Sequence, residues 1–464
     1  MSFRERYIGD RAFYKRLLTV VGPMIVQNVI TSFVNLLDNV MVGQIGTESM
    51  SGVAIVNQLL FVFNLCIFGG LAGVGIFTAQ YSGKGDDEGV RRTVRLKIYL
   101  VVAAFLIFAA ALALRGEQLI SLFLHKGQDD LDLAATLTFG MDYLKIIVWQ
   151  LIPFAVGMAI SSSMRETGET MLPMKAGIIA IFINFILNYI LIFGKLGFPA
   201  MGVVGAAIAT LIARVAECLI VILWAHRHRK DKARFADGLF RSFEVPGQLL
   251  KKVAITGAPV LINEMLVGVG RTTLTQSYSL RGLEVVSAMN ILNTASNLFF
   301  VAYFAMGNAI AIIVGQHLGA GELERAVDED RKLVAFSVFL NVFVGILMAL
   351  LSGLIPRMYN TTEIVKDLSA RLLLVCAILM PVHAFAIAAY FTVRAGGKTL
   401  ITFVFDSGYL WVICVPLAAV LCRRTSLPIV PVYLIIELLE IIKCAIGAYI
   451  MKSRKWVNNL VKDA

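Results

Sequence analysis

The amino-acid sequence predicts an all-α polytopic membrane protein whose twelve transmembrane helices form two pseudo-symmetric six-helix lobes. Apolar residues make up 58% of the 464 residues. Charged residues make up only 16%, against roughly 25% in soluble proteins, so a water-soluble enzyme and a disordered chain are both excluded. Long apolar runs recur along the whole chain, and its two halves repeat the same residues at the same spacing.

Each apolar run is long enough for a helix to cross the hydrocarbon core of a bilayer, which takes about 20 residues. Strands of an outer-membrane barrel would instead alternate apolar and polar residues, and these runs do not alternate. The runs therefore predict helices. There are twelve of them, centred near residues 30, 66, 104, 148, 182, 213, 266, 300, 344, 381, 411 and 440.

The basic residues indicate which side of the membrane the termini occupy. An even number of spans places both termini on one side, together with the loops that follow even-numbered helices. About 29 of the 42 lysines and arginines fall on that side, so the positive-inside rule predicts cytoplasmic termini in a multi-pass protein of the plasma (inner) membrane. The same asymmetry accounts for the net charge of +11, and nucleic acid is therefore not expected as a partner.

The longest hydrophilic stretch lies between helices 6 and 7 and divides the chain into two halves of similar length. The predicted organisation is a cytoplasmic N-terminus at 1–16, an N-lobe of helices 1–6 at 17–225, a cytoplasmic inter-lobe linker at 226–251, a C-lobe of helices 7–12 at 252–451 and a cytoplasmic C-terminus at 452–464.

The two halves carry matched residues at a constant offset. Pro23 in helix 1 precedes Gln80 by 57 residues, and Pro259 in helix 7 precedes Gln316 by the same 57 residues. Such repeats are typical of secondary transporters, although a rigid duplicated scaffold would show the same pattern. The chain has no phosphate-binding loop of the form GxxxxGK[ST], so an ion gradient or the substrate's own gradient would have to drive transport.

Five segments in order along the chain resemble a known family. They are Phe33–Gly43, Ala79–Gly85, Arg165–Pro173, Asn184–Gly194 and Gly197–Thr210. Through these segments the chain resembles the multidrug and toxic compound extrusion (MATE) family of cation-coupled antiporters over nearly its whole length. The resemblance implies a twelve-helix, two-lobed exporter that exchanges Na⁺ or H⁺ for organic, often cationic, drugs.

Helix 1 carries an acid that is the first predicted site residue. An ionisable group inside a membrane span is a functional candidate by default, so Asp38 is expected to bind Na⁺ or to carry a proton. Asn184 and Asn188 share one face of helix 5, and with Thr210 they could supply the neutral oxygens that a hard cation accepts. The resemblance implies that these positions form the N-lobe cation site. The alternative is that the amides only join helices as polar glue.

Helix 7 carries a second acid, Glu264, where the resemblance implies an acid in bacterial drug exporters. The aspartate that often accompanies it in helix 10 is replaced here by His383. Imidazole titrates near neutrality but is not an anionic ligand, so coupling through Glu264 and His383 would use protons. Arg271 lies on the same helical face as Glu264, and an ion pair between them is the structural alternative. Glu437 in helix 12 has no evident partner.

The predicted function is an H⁺- or Na⁺-coupled multidrug efflux antiporter that exports amphipathic, often cationic compounds by alternating access. Its expected partners are drugs or toxic metabolites, the coupling ion and the lipid bilayer, and it is expected to act as a monomer. No cofactor is expected, apart from Na⁺ if that ion is bound. A lipid-linked oligosaccharide flippase of the same superfamily and a non-transporting membrane receptor are the alternatives. No enzyme is expected, because HExxH and grouped Ser, His and Asp residues are absent from the sequence.

Overall fold

Long helices account for almost all of the structure, a computed structural model that describes residues 6–124 and 132–462 apart from the side chains of residues 33–40, 43 and 47. Within those residues there are twelve long helices and no strands. The first half contains α1 (Arg11–Gly43), α2 (Thr47–Lys84), α3 (Asp87–Ser121), α4 (Leu133–Glu166), α5 (Met171–Phe193) and α6 (Gly202–Arg227). The second half contains α7 (Gly247–Ser279), α8 (Leu283–Gly319), α9 (Leu323–Leu351), α10 (Glu363–Ala395), α11 (Thr399–Arg424) and α12 (Ile429–Leu438 and Glu440–Lys452).

The helices coincide with the twelve apolar runs of the sequence, and the predicted all-α fold class is confirmed. Among the described residues, ten helices are long and apolar enough to cross a membrane. The run near residue 440 is interrupted at Leu439, so α12 consists of two shorter segments. The protein is therefore a multi-pass membrane protein.

Several helices begin and end at residues suited to those positions. Asp132 caps α4, because its Oδ1 accepts hydrogen bonds from the backbone N–H groups of Ala134 and Ala135 at 2.9 and 3.1 Å. Thr362 caps α10 through its Oγ1 in the same way. Gly194 follows the last residue of α5 with φ of +65°, in the left-handed region that favours glycine. Local sequence thus determines where these helices end.

Contacts among the helices divide the chain into two units, which are described separately. The N unit comprises Val26–Thr78 and Asp87–Leu250, and the C unit comprises Met1–Ile25, Ala79–Asp86 and Lys251–Ala464. The beginning of α1 and the end of α2 therefore belong to the C unit, although they lie in the first half of the chain. The lobe and linker boundaries derived from the sequence stay a prediction.

The core of the N unit is formed by apolar side chains of its membrane-spanning helices. Phe63, Ile147 and Leu151 are fully or almost fully buried there. Helices α5 and α6 approach each other closely, because a Cβ added at Gly205 would lie 2.7 Å from the backbone of Leu191. Small residues permit such close packing between membrane helices, and this packing positions the polar side chains of α5 against α6.

In the C unit, the repeated Gln–Gly motifs of α2 and α8 contact each other reciprocally. A Cβ added at Gly83 would overlap the backbone carbonyl of Gln316, and a Cβ added at Gly319 would overlap that of Gln80. The two glycines are separated by the same 236 residues as the two glutamines. A contact in which each copy meets the same part of the other is what a two-fold relation produces. The internal repeat therefore forms a direct contact between its own copies.

The C-terminal residues 453–462 pack onto the helices of the C unit. Trp456 is only 1% exposed, and a Cβ added at Gly396 would overlap its carbonyl oxygen. The Gln80 side chain accepts a hydrogen bond from the backbone N–H of Leu460 at 2.7 Å. The end of α2 and the turn after α10 thus hold this segment in place.

Candidate functional site

The N unit brings three of the four residues predicted there into one hydrogen-bonded cluster. The side-chain N–H of Asn184 donates to Thr210 Oγ1 at 3.1 Å, and that of Asn188 donates to Asn184 Oδ1 at 3.2 Å. Both asparagines are buried, with exposures of 7% and 2%. The backbone of Asp38 belongs to α1, but its side chain lies outside the described residues. Its predicted role as the cation site therefore stays a prediction.

A second polar group of the N unit joins α3 to the end of α4. Lys97 is fully buried, and its Nζ donates to Glu166 Oε2 at 2.5 Å and to the hydroxyls of Ser162 and Ser163 at 3.0 and 3.1 Å. A Cβ added at Gly75 would overlap the carboxylate of Glu166, so the glycine makes room for the acid. Sequence spacing does not reveal this pair, because its members are 69 positions apart on different helices.

The C unit contains a cavity of about 190 Å³ among α7, α8, α10, α11 and α12. Much of its wall is aromatic, and the aromatic residues are Tyr278, Phe300, Tyr303, Tyr409 and Tyr433. Ionisable side chains also line it, and these are Arg271, His383, Asp406, Glu437, Glu440 and Lys443. A concave apolar wall with a few converging polar groups is the usual form of a small-molecule site.

His383 lines this cavity and pairs with an acid on the neighbouring helix α12. Its Nε2 lies 2.9 Å from Glu437 Oε2, and the two side chains are only 17% and 18% exposed. His383 is therefore the partner of Glu437 that was not evident from the sequence. The two residues are 54 positions apart on different helices, so sequence spacing could not reveal the contact.

Glu264 makes a different ion pair from the one considered as the structural alternative. Its Oε1 lies 3.7 Å from Arg394 Nη1, and Arg394 also stacks over the ring of Phe391 at 5.3 Å. Arg271 instead lines the cavity, and no carboxylate oxygen lies within ion-pairing distance of it in the part of the chain described. The structure thus gives Glu264 and His383 separate partners and does not join them directly.

Asp406 of α11 forms a further buried pair in the cavity wall. Lys443 Nζ lies 2.7 Å from Asp406 Oδ1, and the side-chain N–H of Asn263 donates to Asp406 Oδ2 at 3.1 Å. Asp406 lies in a π-helical turn, Val404–Gly408, and such turns often occur at functional sites. Its burial and its two partners were not evident from the sequence.

The two sites differ in the chemistry that they can support. The N-unit cluster offers amide and hydroxyl oxygens, which are ligands for hard cations such as Na⁺. The C-unit cavity offers acids, bases and aromatic faces. In the described residues, no group of three or more His, Cys, Asp or Glu side chains could hold a metal ion. The neutral oxygens of Asn184, Asn188 and Thr210 are therefore the better candidates for holding a hard cation.

Comparison with known proteins places the chain in a family. The family model named MatE matches residues 23–190 and 259–421, so it covers one segment in each half of the chain. The chain belongs to the MatE family. The resemblance found in the sequence is thereby confirmed. Members of the MatE family are transporters, so this MatE protein is a membrane transporter rather than an enzyme.

Relatives of this MatE protein match it over most of their length. A probable multidrug resistance protein NorM of Thermotoga maritima is 24% identical, with 89% of this chain and 86% of the relative covered. A probable multidrug resistance protein YoeA of Bacillus subtilis is 26% identical, with coverage of 89% and 87%.

Solved structures share the fold of this MatE protein. One is an outward-facing multidrug resistance MATE family transporter, with a TM-score of 0.85, 18% identity and coverage of 97% of this chain and 98% of that chain. Another is a MOP superfamily transporter from Pyrococcus furiosus, with a TM-score of 0.84, 18% identity and coverage of 97% and 96%. At these identities the likeness concerns the fold alone.

Proposed function

We propose that this protein is a proton-coupled antiporter that expels amphipathic, often cationic organic compounds by alternating access. The observation that carries the proposal is the pairing of His383 with Glu437 in the wall of the C-unit cavity. Relatives that are 24% and 26% identical over 89% of the chain bear the name of multidrug resistance proteins, which supports drugs or toxic metabolites as the exported class.

The pair provides a chemical route to exchange. When His383 is protonated, the imidazolium neutralises Glu437 across 2.9 Å. Loss of that proton leaves the carboxylate charged in a cavity inside the membrane, where an uncompensated charge is costly. An organic cation that enters the cavity would then compensate Glu437 in place of the proton. Protonated His383 and the substrate would therefore compete to neutralise one carboxylate, and this competition is the basis of antiport.

Alternating access requires that each ligand favour one conformation. A ligand shifts a conformational equilibrium only as far as its affinities for the two states differ. We infer that the protonated pair favours release of the drug on the outside and that the deprotonated pair favours its capture from the cytoplasm. The excess of Lys and Arg beside the termini supports their placement in the cytoplasm. The plasma (inner) membrane and a monomeric state belong to the same proposal.

The N-unit cluster supports a second cation site within the same mechanism. Asn184 already lies within hydrogen-bonding distance of both Asn188 and Thr210. A carboxylate from Asp38 would add the negative charge that three neutral oxygen groups lack. We propose that these four residues bind Na⁺ or take up a proton, so that Asp38→Asn abolishes ion-driven efflux.

The test is transport of a cationic dye by the full-length protein in liposomes. A pH gradient and a Na⁺ gradient are imposed separately on wild type, His383→Gln, Asp38→Asn and the control His226→Gln, whose side chain is exposed at the end of α6. Dye movement driven by the pH gradient is expected in wild type and in the control, and its loss is expected in His383→Gln. Undiminished pH-driven movement in His383→Gln would overturn the role of the pair.

A further inference from the structure

One cationic side chain of the C-unit cavity takes no part in the ion pairs that the described residues of the wall form. Of the three cationic side chains that line the cavity, His383 lies 2.9 Å from Glu437, and Lys443 lies 2.7 Å from Asp406. Arg271 is exposed to the cavity. Within the described residues it makes no ion pair and no hydrogen bond through its side chain.

An arginine in this position is unusual on physical grounds. Charged side chains within membrane spans are costly and usually pair with one another or with backbone carbonyls. Arg271 lies within the span Gly247–Ser279, and its guanidinium has five N–H donors in a planar fork. That fork matches the two oxygens of a carboxylate. These donors have no partner among the described residues, and they therefore define the chemistry of a ligand.

The cavity wall does not repel an anion as an acidic cavity would. Two of its acids are paired, and the third, Glu440, lies 3.7 Å from Lys443. With His383 protonated, three cations face three acids, so the wall carries no net formal charge. A carboxylate that approaches Arg271 would meet a cation that has no acid of the described residues within ion-pairing distance.

The size and lining of the cavity define the remainder of the ligand. A dry cavity of about 150 Å³ can hold benzene, and this cavity measures about 190 Å³. Tyr278, Phe300, Tyr303 and Tyr433 supply aromatic faces around it, and aromatic rings favour offset or edge-on contact with another ring. The space therefore suits one ring with a short side chain that ends near Arg271.

We propose that the C-unit cavity binds a compact aromatic carboxylate, held by paired hydrogen bonds from Arg271, with its ring among the tyrosines and Phe300. This site is for a ligand class other than the organic cations of the proposed function, and it does not depend on that function. An amine beside the carboxylate is compatible with the site, because Glu440 lies in the same wall.

The experiment is calorimetric titration of the purified full-length protein with three related probes. They are 3-phenylpropanoate, phenylalanine and the methyl ester of 3-phenylpropanoate. The two carboxylates are expected to bind wild type, whereas the neutral ester, which has the same ring and chain, is expected not to bind. Binding of the ester as tightly as 3-phenylpropanoate would overturn the proposal, and this comparison needs no mutant.

Variants then test the residue itself. Arg271→Gln is expected to lower the affinity for 3-phenylpropanoate at least tenfold, because a charge-assisted pair of hydrogen bonds is lost. Arg271→Lys keeps the charge without the fork and is expected to give an intermediate affinity. The control variant Arg371→Gln removes an exposed arginine whose partner is Asp367. This variant is expected to bind 3-phenylpropanoate with the affinity of wild type. Unchanged binding by a folded Arg271→Gln would refute the assignment of Arg271.

Discussion

Replacement of Lys97 by Met tests whether the buried ion pair of the N unit stabilises the protein. Lys97 is fully buried, and Glu166 is only 13% exposed. Met keeps much of the apolar stem of Lys97 but removes the ammonium group. The substitution therefore isolates the charge and its hydrogen bonds from the packing of the side chain.

The expected loss follows from the three hydrogen bonds of the ammonium group. The bond to the Glu166 carboxylate is charge-assisted, and such bonds contribute about 1.5–3 kcal/mol. The bonds to Ser162 and Ser163, at 3.0 and 3.1 Å, add about 1 kcal/mol each. The sum, about 3.5–5 kcal/mol, lies within the usual cost of about 3–5 kcal/mol for removing one partner from a buried ion pair.

The assay is the free energy of unfolding of the purified protein in mixed micelles, measured by titration with a denaturing detergent. The control is Lys145→Met, because Lys145 and Asp142 form an exposed pair at 3.0 Å, and such pairs contribute about 1 kcal/mol or less. The double variant Lys97→Met/Glu166→Gln is expected to recover much of the stability. If Lys97→Met costs no more than the control, the pair does not stabilise the fold and the reasoning is refuted.

Three further predictions concern the C unit. Gly319→Ala is expected to lower the unfolding free energy by about 1–3 kcal/mol, because its Cβ would overlap the Gln80 carbonyl. Trp456→Ala is expected to lower the unfolding free energy, measured by the same titration, by about 3–5 kcal/mol, since Trp456 is 1% exposed. Hydrogen bonding from His317 lowers the pKa of Glu322 below its ordinary 4.5. The ionised Glu322 therefore stabilises the protein above pH 4.5, and this stabilisation is lost as the pH falls through the lowered pKa. The stability difference between wild type and Glu322→Gln should therefore shrink in acid, and no change with pH would contradict this.

The architecture could be predicted because hydrophobicity and repeats are recorded directly in the order of residues. Each of the twelve helices includes the centre of one apolar run, and the interruption of α12 at Leu439 is the main local feature that the runs did not reveal. The constant offset between Gln80 and Gln316 predicted an internal repeat. The reciprocal contact of the two copies depends on the folded chain.

The site could be predicted only in part. Asn184 and Asn188 are one helical turn apart, so the sequence correctly predicted that they share a face. The pairs of His383 with Glu437 and of Lys97 with Glu166 join different helices, and sequence spacing reveals only partners within one helix. Arg271 shows the same limit, because its spacing from Glu264 suggested a pair, whereas Glu264 pairs with Arg394 and the Arg271 side chain lines the cavity.

The central claim is that protonated His383 and an organic cation compete for Glu437. It is tested most directly by the number of protons released when a cationic dye binds the purified protein in weakly buffered solution. The account predicts that dye binding releases a proton from wild type but not from His383→Gln, whereas Arg371→Gln, as a control, releases as much as wild type. Dye binding to wild type without proton release would contradict it.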